Sequence, residues 1–182
     1  DNILATKAHL SYPWGIFIDE ERNMYITDTY NQRIRFVNSS TNIISTIAGT
    51  GDGAYNGNGL DALLTKLCNP SGIQVDPATK DIYFADSCNC QIRMVSAFTN
   101  IVTSVVGEYN CGYSADNDVI AATSLLDSPI DIYYDSETNA LHIADTANWR
   151  VRKVNSTGYI RTIAGSGNIA VLGDGDGGPA MD

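Results

Sequence analysis

The sequence predicts an all-β fold assembled from three copies of one four-stranded unit. Three series of residues carry this reading. Prolines stand at Pro13, Pro70 and Pro129, turn aspartates at Asp28, Asp86 and Asp145, and closing glycines at Gly49, Gly107 and Gly165. All three series repeat at nearly one period, 57–59 residues. Between them lie short apolar runs rich in Ile, Val, Tyr and Phe. These runs are bounded by Asp, Asn, Ser, Thr and Gly, the signature of strands and turns. None has helical length with a 3.6-residue period.

The second unit shows the elements in order. Its strands are predicted at 72–76, 81–86, 91–96 and 101–106. The first follows Pro70-Ser71-Gly72-Ile73. The second and third flank the turn Asp86-Ser87-Cys88-Asn89-Cys90-Gln91-Ile92-Arg93. The fourth ends on Gly107. Unit one matches with Pro13-Trp14-Gly15-Ile16 and Asp28-Thr29-Tyr30-Asn31-Gln32-Arg33-Ile34-Arg35. Unit three matches with Pro129-Ile130-Asp131-Ile132 and Asp145-Thr146-Ala147-Asn148-Trp149-Arg150-Val151-Arg152. Gly- and Asp-rich connectors join the units, and the run Asp61-Ala62-Leu63-Leu64-Thr65-Lys66-Leu67 in one of them has the makings of a single helical turn.

Four short strands per repeat is the make-up of a β-propeller blade. The repeat phase divides the chain into units 1–57, 58–116 and 117–175, with 176–182 beginning the next connector. Three blades do not close a ring, which typically needs about four to eight. An open arc would leave apolar faces bare at both ends. The expectation is therefore a partial ring, half of a six-bladed propeller. Either further blades of the same protein or a second copy joined head-to-tail would complete it.

Composition excludes several function classes. The 182 residues are 43% hydrophobic and 18% charged, enough apolar content for a packed core. The net charge of −10 argues against binding a phosphate backbone. No apolar run approaches the ~20 residues of a membrane span. There is no basic-then-apolar leader at the start, so any secretion signal would lie outside this sequence.

The repeat resembles the NHL family. The match lies in Pro-x-Gly-Ile, in Ile-Tyr-x-Ala-Asp-Ser-x-Asn-x-Gln-Ile-Arg with its counterparts, and in the endings Thr46-Ile47-Ala48-Gly49 and Thr162-Ile163-Ala164-Gly165. The family's linker stands at Gly175-Asp176-Gly177-Gly178-Pro179-Ala180, and a degenerate copy at Gly57-Asn58-Gly59-Leu60-Asp61-Ala62. The resemblance covers essentially the whole chain. Low-density-lipoprotein-receptor-type YWTD propellers are the nearest rival, but the second strand lacks Trp in every unit. The resemblance implies three NHL-type blades, in a long-linker form similar to that of extracellular propellers such as the teneurins.

The candidate site residues divide by chemistry. Asp28 with Asn31, Asp86 with Asn89 and Asp145 with Asn148 recur at the same turn, which favours a structural role in bonding the turn backbone. Arg33, Arg35, Arg93, Arg150 and Arg152 follow them and are expected to brace acidic turns or neighbouring blades. The four cysteines, Cys68, Cys88, Cys90 and Cys111, all fall in or beside unit two and on one face. Their spacing is unlike a zinc site. Two disulfides are expected. Strand order favours Cys68–Cys88 with Cys90–Cys111, although sequence alone does not fix connectivity.

Sequons at Asn38 and Asn155 lie in the turn between the third and fourth strands, on the opposite face. With the disulfides they point to an extracellular or cell-surface protein of the secretory pathway. No cofactor is expected. The only place for a structural calcium is the acidic connectors, with Asp52, Asp61, Asp116, Asp118 and Asp127 and the loop Asp174-Gly175-Asp176-Gly177-Gly178. That loop lacks the EF-hand pattern.

Catalytic groups are scarce. His9 and His142 are the only histidines, and His142 takes the strand position of Tyr25 and Tyr83. Peptide-amidating lyases share the repeat and use histidine-bound zinc, but that histidine set is missing. The expectation is a non-catalytic extracellular module that binds protein or glycan on its ring face, or assembles a larger surface structure. The alternative is part of a propeller enzyme whose active-site residues lie on other blades. RNA binding, known for the NHL domains of some ubiquitin ligases, is opposed by the acidity.

Overall fold

A computed structural model describes residues 1–115 and 119–168. The strands form three antiparallel sheets of one design. The first contains β1 (Ile3–Leu4), β2 (Pro13–Ile18), β3 (Met24–Asp28), β4 (Arg33–Val37) and β5 (Ile43–Ala48). The second contains β6 (Leu60–Asp61), β7 (Pro70–Val75), β8 (Ile82–Asp86), β9 (Gln91–Val95) and β10 (Ile101–Val106). The third contains β11 (Val119–Ile120), β12 (Pro129–Asp135), β13 (Ala140–Asp145), β14 (Arg150–Val154) and β15 (Tyr159–Ala164).

Each sheet therefore has five strands, and the expected four-stranded unit is corrected. In the first sheet the order is β1-β5-β4-β3-β2, and the other two repeat it. The extra strand is two residues of connector paired with the outer edge of the fourth long strand, Ile3 opposite Ile44 and Leu4 opposite Ile43. Two residues are too short to leave an alternating pattern in a sequence. Their physical role is to cover backbone groups that an edge strand otherwise exposes. The helical turn expected after Asp61 forms as a single 3-10 turn, Ala62–Leu64, whose first turn is capped by Asp61 accepting from the Leu63 amide at 2.9 Å.

The sheets pack face to face in a propeller-like arrangement. One core layer lies between the first two sheets, with Tyr25, Ile34 and Ala48 against Ile73, Val75 and Phe84. A second lies between the next two, with Ala85, Ile92 and Val106 against Ile132 and Ile143. The first strands meet side by side at the inner edge. Gly15 and Gly72 permit this: a Cβ on Gly72 would lie 2.6 Å from the Asp131 Cα and 2.9 Å from the Ile132 amide. The closing glycines serve a different need. Gly49, Gly107 and Gly165 turn with φ of +96, +89 and +86, which side chains resist.

Two faces of the described residues have no sheet against them. In the first sheet Ile16 is 58% exposed, whereas its counterpart Ile73 is 2% exposed. In the third sheet Val151 is 39% exposed, whereas its counterpart Ile92 is fully buried. The third unit has Asp131 where the others have Gly15 and Gly72, and its side chain is exposed.

Candidate functional site

Each unit builds the same polar turn, and its geometry explains why the motif repeats. After the second long strand the chain makes a 3-10 turn, Thr29–Asn31, Ser87–Asn89 or Thr146–Asn148. It then enters left-handed backbone at Gln32, Cys90 or Trp149. The aspartate before the turn is fully buried in each unit. Its partners are the asparagine three residues on, the arginine seven residues on, and a backbone amide ahead of the first long strand. Asn31, Asn89 and Asn148 each donate Nδ2 to it at 2.9 Å. Arg35, Arg93 and Arg152 donate Nη1 to it at 3.0, 3.1 and 3.3 Å. Ser11, Cys68 and Asp127 donate their amides at 2.7, 2.6 and 2.8 Å.

Burial pushes the Asp86 and Asp145 carboxyls up, while these donors pull them down. These residues are saturated by structural bonds, and that leaves little for a ligand. Arg33 and Arg150 instead bond the carbonyls of Thr50 and Ser166 in the following connectors.

In the first two units the hydroxyl after the aspartate links to the next unit, whereas Thr146 Oγ1 donates to the Ala144 carbonyl of its own unit. Thr29 Oγ1 donates to the Pro70 carbonyl at 2.8 Å, and Ser87 Oγ to the Pro129 carbonyl at 2.7 Å. This draws the starts of the first strands together at the inner edge. A pocket of about 200 Å³ opens there, lined by Tyr12, Trp14, Thr29, Tyr30, Asn69, Ser71, Ser87 and Ile130. Trp14, Ser71 and Ile130 hold the same position in the three units, so all three sheets contribute to one axial pocket. Tyr12, Trp14 and Tyr30 are each more than half exposed. Tyr12 stacks on Tyr30 at 4.7 Å between ring centres, with Trp14 tilted 6.4 Å from Tyr12.

The predicted site residues missed this pocket. The signal lay in the repeat register: Tyr12, Trp14 and Tyr30 stand where unit two has Asn69, Ser71 and Cys88, and unit three has Ser128, Ile130 and Ala147. One unit alone is aromatic at all three positions.

The cysteines flank the same face. Cys90 and Cys111 form a disulfide with Cα atoms 5.2 Å apart. Cys68 and Cys88 are thiols. The Cys88 amide donates to the Cys68 carbonyl at 3.1 Å. Burial, together with a side-chain hydrogen bond to Cys88, pushes the Cys68 thiol up to about 12. Asp127 approaches the disulfide within 4.8 Å, but bonded sulfurs offer no thiolate to a metal.

Of the other acidic candidates, Asp52 pairs with Lys66 at 3.3 Å, and Asp61 accepts from Asn100 at 2.9 Å. Asp116, Asp118 and the loop at 174–178 lie outside the described residues. Asn38 and Asn155 fall in the turns after β4 and β14, where each Oδ1 accepts from its own turn. His142 packs beside Tyr133 with rings 6.0 Å apart. His9 lines a separate cavity beside Arg33 and Arg35. The two histidines do not converge.

No protein-family model matches the chain. Over 101 residues it is 33% identical to NHL repeat-containing protein 2 of Bos taurus, covering 55% of this chain and 14% of that protein. The chain thus spans a small part of that relative's length. Among solved structures it is similar to an auxiliary nutrient binding protein from Bacteroides thetaiotaomicron. The TM-score is 0.62 at 21% identity, over 81% of this chain and 36% of the other. It is also similar to virginiamycin B lyase from Staphylococcus aureus. Here the TM-score is 0.52 at 16% identity, over 86% of this chain and 42% of the other. At such identities the likeness is one of fold. Together with the motifs in all three units, these findings show that the chain is similar to NHL-repeat proteins.

Proposed function

We propose that this chain is a non-catalytic binding module whose contact surface is the axial face around Tyr12, Trp14 and Tyr30. The observation that carries the reading is three aromatic rings exposed to solvent on a face where the other units carry smaller side chains. Aromatic groups of this kind supply most of the energy at recognition surfaces. The binding-protein neighbour fits this reading. The fold likeness to a lyase supplies the rival, an enzyme with its reactive groups on other blades.

The same reading takes 1–57, 58–116 and 117–175 as three propeller blades, with 176–182 opening the next connector. The bare faces at Ile16 and Val151 are covered by further blades of the same protein, or by a second copy closing the ring. Sedimentation separates these: a mass near 19.6 kDa speaks against the second copy. The module works outside the cell, with glycans on Asn38 and Asn155, and the oxidising secretory compartment joins the Cys68 and Cys88 thiols as a second disulfide. Intact mass before and after reduction and deglycosylation tests those three assignments together.

The test of function is binding of the labelled chain to arrays of extracellular proteins and glycans, beside the variant Trp14→Glu. Binding lost in the variant supports the axial face. Equal binding by both proteins overturns it.

A further inference from the structure

We propose that the axial pocket is a saccharide site that seats one neutral pyranose ring against Tyr12, Trp14 and Tyr30. The proposal rests on the binding reading above and names the ligand class of that same face. Its first support is the character of the lining. It combines three aromatic rings with the hydroxyls of Thr29, Ser71 and Ser87 and the side-chain amide of Asn69. None of the lining residues is Asp, Glu, Lys, Arg or His, in a chain with a net charge of −10. An uncharged lining gives no counter-charge to a phosphate, a carboxylate or a cation. A pyranose matches it in both respects, because its C–H faces are apolar and its rim is hydroxylated. Aromatic faces are electron-rich and attract the slightly positive C–H hydrogens.

The hydroxyls are set to accept. Ser87 donates its proton to the Pro129 carbonyl, so in the 2.7 Å contact with Ser71 it is Ser71 that donates. Thr29 donates to the Pro70 carbonyl. Lone pairs on Ser71 and Thr29 are left to receive sugar hydroxyls.

Tyr12 adds an independent observation. The residue before the first-strand proline has left-handed backbone in every unit, with φ of 54 at Tyr12, 50 at Asn69 and 48 at Ser128. Asn tolerates this region, whereas a bulky aromatic is strained there. The fold therefore holds an aromatic ring where its own repeat uses a more tolerant residue. Size sets the ligand: about 200 Å³ is below the ~300–1,000 Å³ of drug-sized pockets, and suits one ring.

Saturation-transfer NMR on the whole chain tests this with the methyl glycosides of glucose, galactose, mannose and N-acetylglucosamine. Trp14 fluorescence, read in a Trp149→Phe background, gives the second signal. The expected result is saturable binding of at least one glycoside, with transfer strongest to the C–H protons of one ring face. Tyr12→Ala and Trp14→Ala should each weaken it about tenfold at an unchanged melting temperature. No saturable response to any glycoside overturns the proposal, as does equal binding by Trp14→Ala. A proline-rich peptide that quenches Trp14 where the sugars do not overturns the sugar assignment and leaves the axial binding face standing. A ligand that binds with no change at Trp14 overturns both.

Discussion

Arg93 and Asp86 form an ion pair at 3.1 Å with both side chains fully buried. Arg93 also lies over the Tyr55 ring at 5.3 Å and donates to the Gly57 carbonyl at 2.7 Å. The pair thus fastens the turn of unit two to the connector before it. Removing the cation strands a buried carboxylate, which costs about 3–5 kcal/mol. Arg93→Met should lower the urea-derived stability by that amount. Asp52→Asn, which breaks an exposed pair with Lys66, should cost under about 1 kcal/mol. Similar losses from both variants would contradict the role given to the buried pair.

The bare face of the first sheet makes a second prediction. Ile73→Ala opens a cavity between two sheets and should cost about 2–5 kcal/mol. Ile16→Ala, at the equivalent but exposed position, should stay within about 0.5 kcal/mol in the isolated chain. Thermal melts of the two variants side by side check this. A large loss for Ile16→Ala would mean that the face is already covered in solution.

Tyr134 carries a pH dependence. Burial, followed by its hydrogen bond to Asp76 at 3.1 Å, pushes its hydroxyl up to about 12 from an ordinary 10.0. The folded state therefore favours the protonated phenol. Its contribution is whole below pH 10 and is lost as pH rises toward 12. Tyr134→Phe should weaken the fall in stability across that window, leaving the part due to Tyr25, and should also reduce the loss on acidification, because Tyr134 helps to hold the Asp76 carboxyl down. Urea unfolding on either side of the window gives the comparison.

The disulfide offers a fourth. Cys90 and Cys111 are 21 residues apart, and closing a loop of that size is worth about 3 kcal/mol. Cys111→Ser should cost that much in non-reducing buffer and little in reducing buffer. A loss that persists unchanged under reduction would trace to packing.

The repeat was legible because its anchors are backbone requirements. Gly15 and Gly72 allow the first strands to touch, and Asp28, Asp86 and Asp145 each gather the same set of donors. Such demands fix residue type at fixed spacing. The fifth strand was not legible, because two residues carry no period and its partner lies about 40 residues away. The axial pocket was hidden for the opposite reason. Tyr12, Trp14 and Tyr30 depart from the repeat, and a repeat pattern carries no information at positions where its copies differ.

The disulfide also changes how the chain would bear a pull. Its loop encloses β9 and β10, so tension applied at the two ends bypasses both strands through the sulfur bridge. About 21 residues, or roughly 70 Å of extended chain, stay hidden from the load until the bond is reduced. Unit two thereby becomes a stop in an otherwise extensible array. The outer sheets can unravel toward it, but the hairpin it guards yields only to a reductant.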